Sequence, residues 1–315
     1  MYRALAAGAL AVLVFAGSAQ AATKPAATTG GVTALTFQSA RLIGTVNPHG
    51  AATTIYFQYG TTTKYGTNTP AVPVGAGTAN KRVTADIAGL VPNKKYHYRL
   101  VAENPLGVVS GTDHTFTTKK QPLGLTLGAT PNPVLFGGTT TLGGTLSGTG
   151  SAGRAVVLQG NPFPYTQGFQ NASNTQLTNA DGSFSFPVLS VALNTQYRVV
   201  LPNQPQVQSP IVTVGVAPNV TVKAKRVRRT ARGAVVRFSG RISPAHDGTQ
   251  VVIQRLKGTN WKTVKSTIAR HSSSGVSRYR KKVRLRRGGR FRVVAVTNDG
   301  DHVASASRTI RVRVR

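Results

Sequence analysis

The sequence predicts an all-β chain built from β-sandwiches in series, and three observations carry that prediction. Apolar residues show almost no helical periodicity. Short runs rich in Val, Thr, Tyr and Phe recur along the chain. Between them stand Gly, Pro, Asn and Asp, the residues that turns demand, at intervals suited to short strands.

The elements follow in chain order. "MYRALAAGALAVLVFAGSAQAA" has one positive charge, Arg3, an apolar run from Ala4 to Gly17, and small residues at Ala19 and Ala21. Residues 1–21 therefore read as a signal peptide, with cleavage expected before Ala22. The apolar run is shorter than the roughly 20 residues a spanning helix needs. No second such run follows, so the expectation is a secreted or envelope-associated chain with no integral membrane segment after leader removal. The chain has no cysteine, which excludes disulfides and thiolate metal sites and leaves each domain to be held by its apolar core. Residues 22–30, "ATKPAATTG", read as a flexible lead-in. "TTKKQP" (117–122) and "GVAPN" (215–219) read as joints between domains.

Within residues 31–118, "GLVPNKKYHYRLVAEN" spaces Leu90, Pro92, Tyr96, Tyr98, Leu100, Ala102 and Asn104 in a pattern that resembles the strand F region of fibronectin type III domains, and the upstream "ARLIGTVNPHGAATTIYFQYGTTTKYG" resembles the version found in bacterial secreted proteins. The resemblance implies that Tyr96 is a corner tyrosine, its ring buried and its hydroxyl bonded to backbone near Leu90 to Asn93. The tryptophan usual in the early strands of that family is missing, which leaves Phe57, Tyr59 and Tyr98 to fill the core.

Residues 119–218 and 219–315 read as copies of one another. "AGRAVVLQGNPFPYTQGF" aligns with "DGTQVVIQRLKGTNWKTV", and "NTQYRVVL" with "GGRFRVVAV", setting Tyr197 where Phe291 stands. Both resemble immunoglobulin-like modules of bacterial surface proteins. The predicted fold is thus all-β, with three tandem immunoglobulin/fibronectin-like β-sandwiches after a signal peptide.

Charge singles out the last module. Of the formal +32, residues 219–315 carry 26 basic residues against 3 acidic ones, and arginine outnumbers lysine 19 to 7. "SRYRKKVRLRRGGRFRVVAV" (277–296) is not a disordered basic arm, because its charged and apolar residues alternate. A period of two sets Val283, Leu285, Phe291, Val293, Ile310, Val312 and Val314 on one side. Arg284, Arg286, Arg290, Arg292, Arg311 and Arg313 then point to water as candidate polyanion-binding residues. Guanidinium forks pair with phosphate and carboxylate oxygens. The expected partner is an anionic cell-wall polymer or acidic polysaccharide, with non-specific nucleic acid as a further partner of the same charge. The competing reading is that the charge only blocks edge-to-edge pairing.

Chemistry is hard to find. The seven acidic residues include Asp299 and Asp301 in "NDGDH" (298–302), beside His302. That stretch reads as a hairpin turn in preference to a metal site, as does "NADGSF" (179–184). The six histidines show no pair at metal-ligand spacing, and those in "PHG" and "AHDG" read as loop residues. There is no Gly-x-Ser-x-Gly elbow and no phosphate-binding glycine loop. The expectation is a non-enzymatic protein with no catalytic, cofactor or metal residues. It associates with the anionic envelope through its basic module, the first two domains acting as spacers. The alternative is a carbohydrate- or matrix-binding accessory protein. Its candidate carbohydrate contacts are Phe163, Tyr165 and Phe169 in a proline-broken loop, whose competing role is to pack over the sandwich end.

Overall fold

A computed structural model describes residues 21–273, 275–297 and 299–314. Among them every regular element is a β-strand. The leader reading falls almost wholly outside the described residues. The chain forms two compact units, Met1–Gln121 and Pro122–Arg315.

In the first unit, one antiparallel sheet joins the strands Ala26–Thr33, Ser39–Asn47 and Lys81–Ala88 in that order. The facing sheet is built on Thr53–Gly60 and Lys95–Asn104, paired to one another and flanked by short strands. Alternation decides the core: Leu42, Val46, Phe57, Tyr98 and Leu100 all turn inward and are at most 1% exposed. Complete burial of side chains of this size stabilises the fold by roughly 1.5–3 kcal/mol each. Tyr59 only half-fills its share of the core. Tyr96 behaves as a corner tyrosine: its ring stacks on Phe116 with centroids 5.6 Å apart, and its hydroxyl accepts a bond from Val91 N at 3.0 Å.

The lead-in read at residues 22–30 is not a flexible segment. From Ala26 it is a strand in register with Ser39–Asn47. Thr29 is buried, its Oγ1 accepting from Leu100 N at 3.1 Å. Gly30 O accepts from the Tyr98 hydroxyl at 2.6 Å. Small polar residues carry no apolar alternation, so this strand is held by hydrogen bonds that composition does not display.

The second unit holds two hydrophobic cores. Leu142, Leu158, Phe184 and Val199 anchor one; Phe238, Ile253, Phe291 and Val293 anchor the other. Around each, two sheets repeat the arrangement of the first unit. Residues 215–219, read as a joint, lie between the two cores and are packed in. Gly215 to Pro218 are buried, and Val216–Ala217 pairs in parallel with Val134–Leu135.

One trio recurs in all three sandwiches. Gln58 faces Arg99 across neighbouring strands, Gln159 faces Arg198, and Gln254 faces Arg292. In each pair the arginine Nε donates to the glutamine Oε1, at 2.8, 2.9 and 2.8 Å. In each the guanidinium lies over an aromatic ring: Tyr65 at 4.8 Å, Phe169 at 4.3 Å and Trp261 at 4.5 Å. The likeness read between residues 119–218 and 219–315 therefore extends to the first sandwich.

Candidate functional site

The C-terminal sandwich sorts its charge by strand register. Its first sheet places Gly233–Ser243 between Lys223–Thr230 on one side and Val276–Leu285 on the other, with Arg270–Ser273 beyond. Ala234, Val236, Phe238, Ile242, Tyr279, Val283 and Leu285 are buried. Residues directly opposite one another in an antiparallel pair share a face, so the intervening residues form rows on the outer surface. Arg270, Arg278 and Arg241 make one row, and Arg280, Ser239 and Lys223 the next. Lys282, Arg237 and Lys225 follow, then Arg284, Val235 and Arg228. With strands about 4.8 Å apart and same-face residues about 6.7 Å apart, this array covers an area on the order of 15 by 20 Å.

Among the described residues, the face has no anionic counterweight. The three aspartates of this module are spent elsewhere: Asp247 on His271 and Ser277, Asp299 on His246, Asp301 on His302 and His246. Among the described residues, no arginine or lysine of the face has an ion-pair partner. Like charges held opposite one another cost roughly 0.2–1 kcal/mol per pair, a strain that an external anion relieves. Beside the rows runs an open groove of about 950 Å³, lined by Lys223, Arg241, Arg270, Arg278, Arg280 and Lys281 together with the hydroxyl residues Thr221, Ser239 and Thr267. Its floor is fixed by Tyr279, whose buried phenol donates to Thr221 O at 2.7 Å. Desolvation pushes the pKa of that phenol well above its ordinary value.

The six arginines picked from sequence alternation do not share one surface. Arg284 stands on the cationic face. Arg286 lies in the turn that follows, where it lines a shallower hollow of about 600 Å³ with Arg287, Arg311 and Arg313. Arg290 and Arg292 belong to the opposite sheet, as does Arg311, which faces Arg290 directly. Arg292 is held by Gln254 and Trp261 and is only half-exposed. Alternation fixes which way a residue points within its own strand. It does not reveal which strands are neighbours, so the rows through Arg237, Arg241, Arg270 and Lys225 could be found only from the register.

The aromatic loop of the middle sandwich offers little open ring surface. Phe163 and Tyr165 contact each other edge to face at 5.6 Å, and the face of Phe169 is covered by Arg198. All three are half-buried. Of the stretch read as a turn, the described residues 299–302 lie between the strands Gly289–Val296 and Ser305–Ala306, and Gly300 has the positive φ of +83° that a turn wants. The histidine of "AHDG" lies in a loop, as read, and is buried there: His246 and His302 are 6% and 5% exposed and meet each other.

No family model matches the chain, and no curated protein matches it. Solved structures do. The chicken CNTN1 FN1–FN3 domains align at 15% identity over 91% of this chain and 98% of that one, with a TM-score of 0.27. Three titin domains align at 16% identity over 92% and 99%, TM-score 0.37. A tetra-tandem repeat from the extending region of a large adhesion protein aligns at 17% identity over 91% and 74%, TM-score 0.29. At such overall scores the strand order of the chain itself carries the fold assignment: an all-β protein of tandem fibronectin- and immunoglobulin-like sandwiches.

Proposed function

We propose that this is an exported, non-enzymatic protein that its C-terminal sandwich holds electrostatically to an anionic polymer of the cell envelope. The polymer is of the cell-wall phosphate or acidic polysaccharide class, and the two preceding sandwiches act as spacers. The observation that carries the reading is the set of like-charged rows, Arg270–Arg278–Arg241 and Lys282–Arg237–Lys225, with no carboxylate among them. Solubility alone does not ask for cations stacked opposite cations. A polymer with regularly spaced oxyanions does, because it releases its counterions while relieving the repulsion. Arginine forks add paired hydrogen bonds to each phosphate or carboxylate.

The test is retention of the full chain on isolated cell-wall material at low and high salt. The expected result is strong retention at low ionic strength that falls steeply as salt is raised. Equal retention at both would overturn the proposal. The carbohydrate-binding alternative predicts the opposite, a salt-insensitive association lost on F163A/Y165A substitution.

A further inference from the structure

Two loops of the C-terminal sandwich bring a mixed set of donors to one point beneath the surface. His246 comes from the connection between Gly233–Ser243 and Gln250–Lys257; Asp299, Asp301 and His302 come from the connection after Gly289–Val296. His246 Nε2 lies 3.1 Å from His302 Nδ1 and 3.6 Å from Asp301 Oδ1. His302 Nδ1 lies 2.9 Å from Asp301 Oδ1. Asp299 Oδ2 stands 3.4 Å from His246 Nε2 on the more open side.

The four spacings, 2.9 to 3.6 Å, bracket those between the ligands of a small metal ion. Zinc holds nitrogen and carboxylate donors at about 2.0–2.2 Å in a tetrahedron, which sets adjacent donors about 3.3–3.5 Å apart. Asp301 Oδ1 is buried between the two rings, 2.9 Å from His302 Nδ1 and 3.6 Å from His246 Nε2. The tautomer of His246 also follows from its surroundings. Its Nδ1 lies 3.0 Å from Pro244 O, and a carbonyl can only accept, so the proton sits on Nδ1. Nε2 is then the nitrogen that faces the other donors. An imidazole anchored through one nitrogen by a backbone carbonyl, with the other turned toward further donors, is the usual arrangement of a metal-ligating histidine.

The loops are held in place before any ion arrives. Ser277 Oγ accepts from His246 N at 2.8 Å and donates to Asp247. On the other side, Asn194 of the middle sandwich bonds the loop twice, N to Asp301 O and Nδ2 to Gly300 O, each at 2.8 Å. Val303 N donates to Val216 O at 2.8 Å. Two of the module's three carboxylates converge here, although 26 cations compete for them.

We propose that His246 Nε2, His302 Nδ1 and Asp301 Oδ1 form a site for a divalent transition metal of the zinc type. Asp299 faces the fourth position. Imidazole nitrogens favour zinc or cobalt over calcium or magnesium, which prefer all-oxygen shells. Because the ligand loop is bonded to Asn194 and Val216, the ion fixes the seam between the middle and C-terminal sandwiches. The ligands come from loops 56 residues apart, which is why no spacing motif marks them.

The experiment uses the full, tag-free chain, stripped with chelator and titrated with Zn²⁺, Co²⁺, Ca²⁺ and Mg²⁺. The expected outcome is one Zn²⁺ or Co²⁺ per chain and none of the hard cations, with a raised Tm for the Pro122–Arg315 unit. Asp301→Asn should weaken zinc by more than the roughly 10–100-fold that loss of an outer partner costs. The double variant H246Q/H302Q should abolish binding, while His271→Ala, an exposed histidine, should leave it unchanged. Absence of stoichiometric binding in the unaltered chain overturns the proposal, as does undiminished binding in folded H246Q/H302Q. Should the variants not fold, X-ray absorption of the unaltered zinc-loaded chain decides. Two imidazoles in a shell at about 2.0 Å uphold the site, and a shell without them removes it.

Discussion

Arg292 lies flat over Trp261, its guanidinium 4.5 Å from the ring centre, while its Nε is bonded to Gln254. The same relationship ties Arg198 to Phe169 and Arg99 to Tyr65, so this arginine belongs to the scaffold and not to the rows of the proposed polyanion site. Its replacement by alanine should destabilise the C-terminal sandwich by about 1–2 kcal/mol in denaturant unfolding, from the lost stacking and hydrogen bond together. Polyanion affinity at fixed salt should change far less than for a residue of the cationic face. A large loss of binding with unaltered stability would refute the assignment.

The face itself is tested by the salt dependence of binding. With single-stranded DNA as a defined anionic probe, R278A/R280A/K282A should reduce the slope of log affinity against log salt by about 2, at about 0.7 per lost contact. The triple variant R290A/R311A/R313A on and beside the other sheet should change the slope less. Equal effects from both sets would mean that binding does not depend on the rows.

Self-repulsion predicts how stability responds to ions. The Pro122–Arg315 unit should melt at a higher temperature as sodium chloride is raised from low ionic strength, because screening weakens repulsion among exposed charges. The Met1–Gln121 unit should respond little. Calorimetry of the full chain resolves the two, and a salt-independent second transition would contradict the prediction.

Tyr279 links the groove to pH. Burial raises its folded-state pKa above the ordinary value of about 10. The folded chain therefore keeps a proton that the unfolded chain gives up. This contribution is whole below the unfolded pKa and is lost as pH climbs from there toward the folded value. Stability of the second unit should therefore fall above about pH 10, and less steeply in Tyr279→Phe. That variant should also loosen the groove, since Thr221 O loses its donor. A pH profile identical to that of the unaltered chain would show that another group governs alkaline unfolding.

How far the sequence could be read depended on where the information lay. Alternation in Val283–Leu285 and Phe291–Val293 was enough to place those residues inside, because one buried face dictates a period of two. The corner role of Tyr96 came from a local pattern. The strand at Ala26–Thr33 escaped notice, since Thr29 and Gly30 work through hydrogen bonds to Leu100 and Tyr98, some 70 residues away. The rows of the cationic face needed pairing partners that no single strand records. The trio of Gln58, Arg99 and Tyr65 was hidden for the same reason: two of its members meet only across a ladder.

The strand Lys223–Thr230 presents charge on both sides, Lys225 and Arg228 on the array and Arg226 and Arg229 on its reverse, with a bulge between Arg226 and Arg228. A bare edge would otherwise invite a second copy to zip on and extend the sheet. Here two approaching copies repel. A long anion draped over this margin would lift that brake, so a polymer bound as proposed would also let neighbouring copies approach edge to edge. Light scattering should then grow with the length of the added polymer at constant total charge; scattering indifferent to length would mean the margin stays closed even when neutralised.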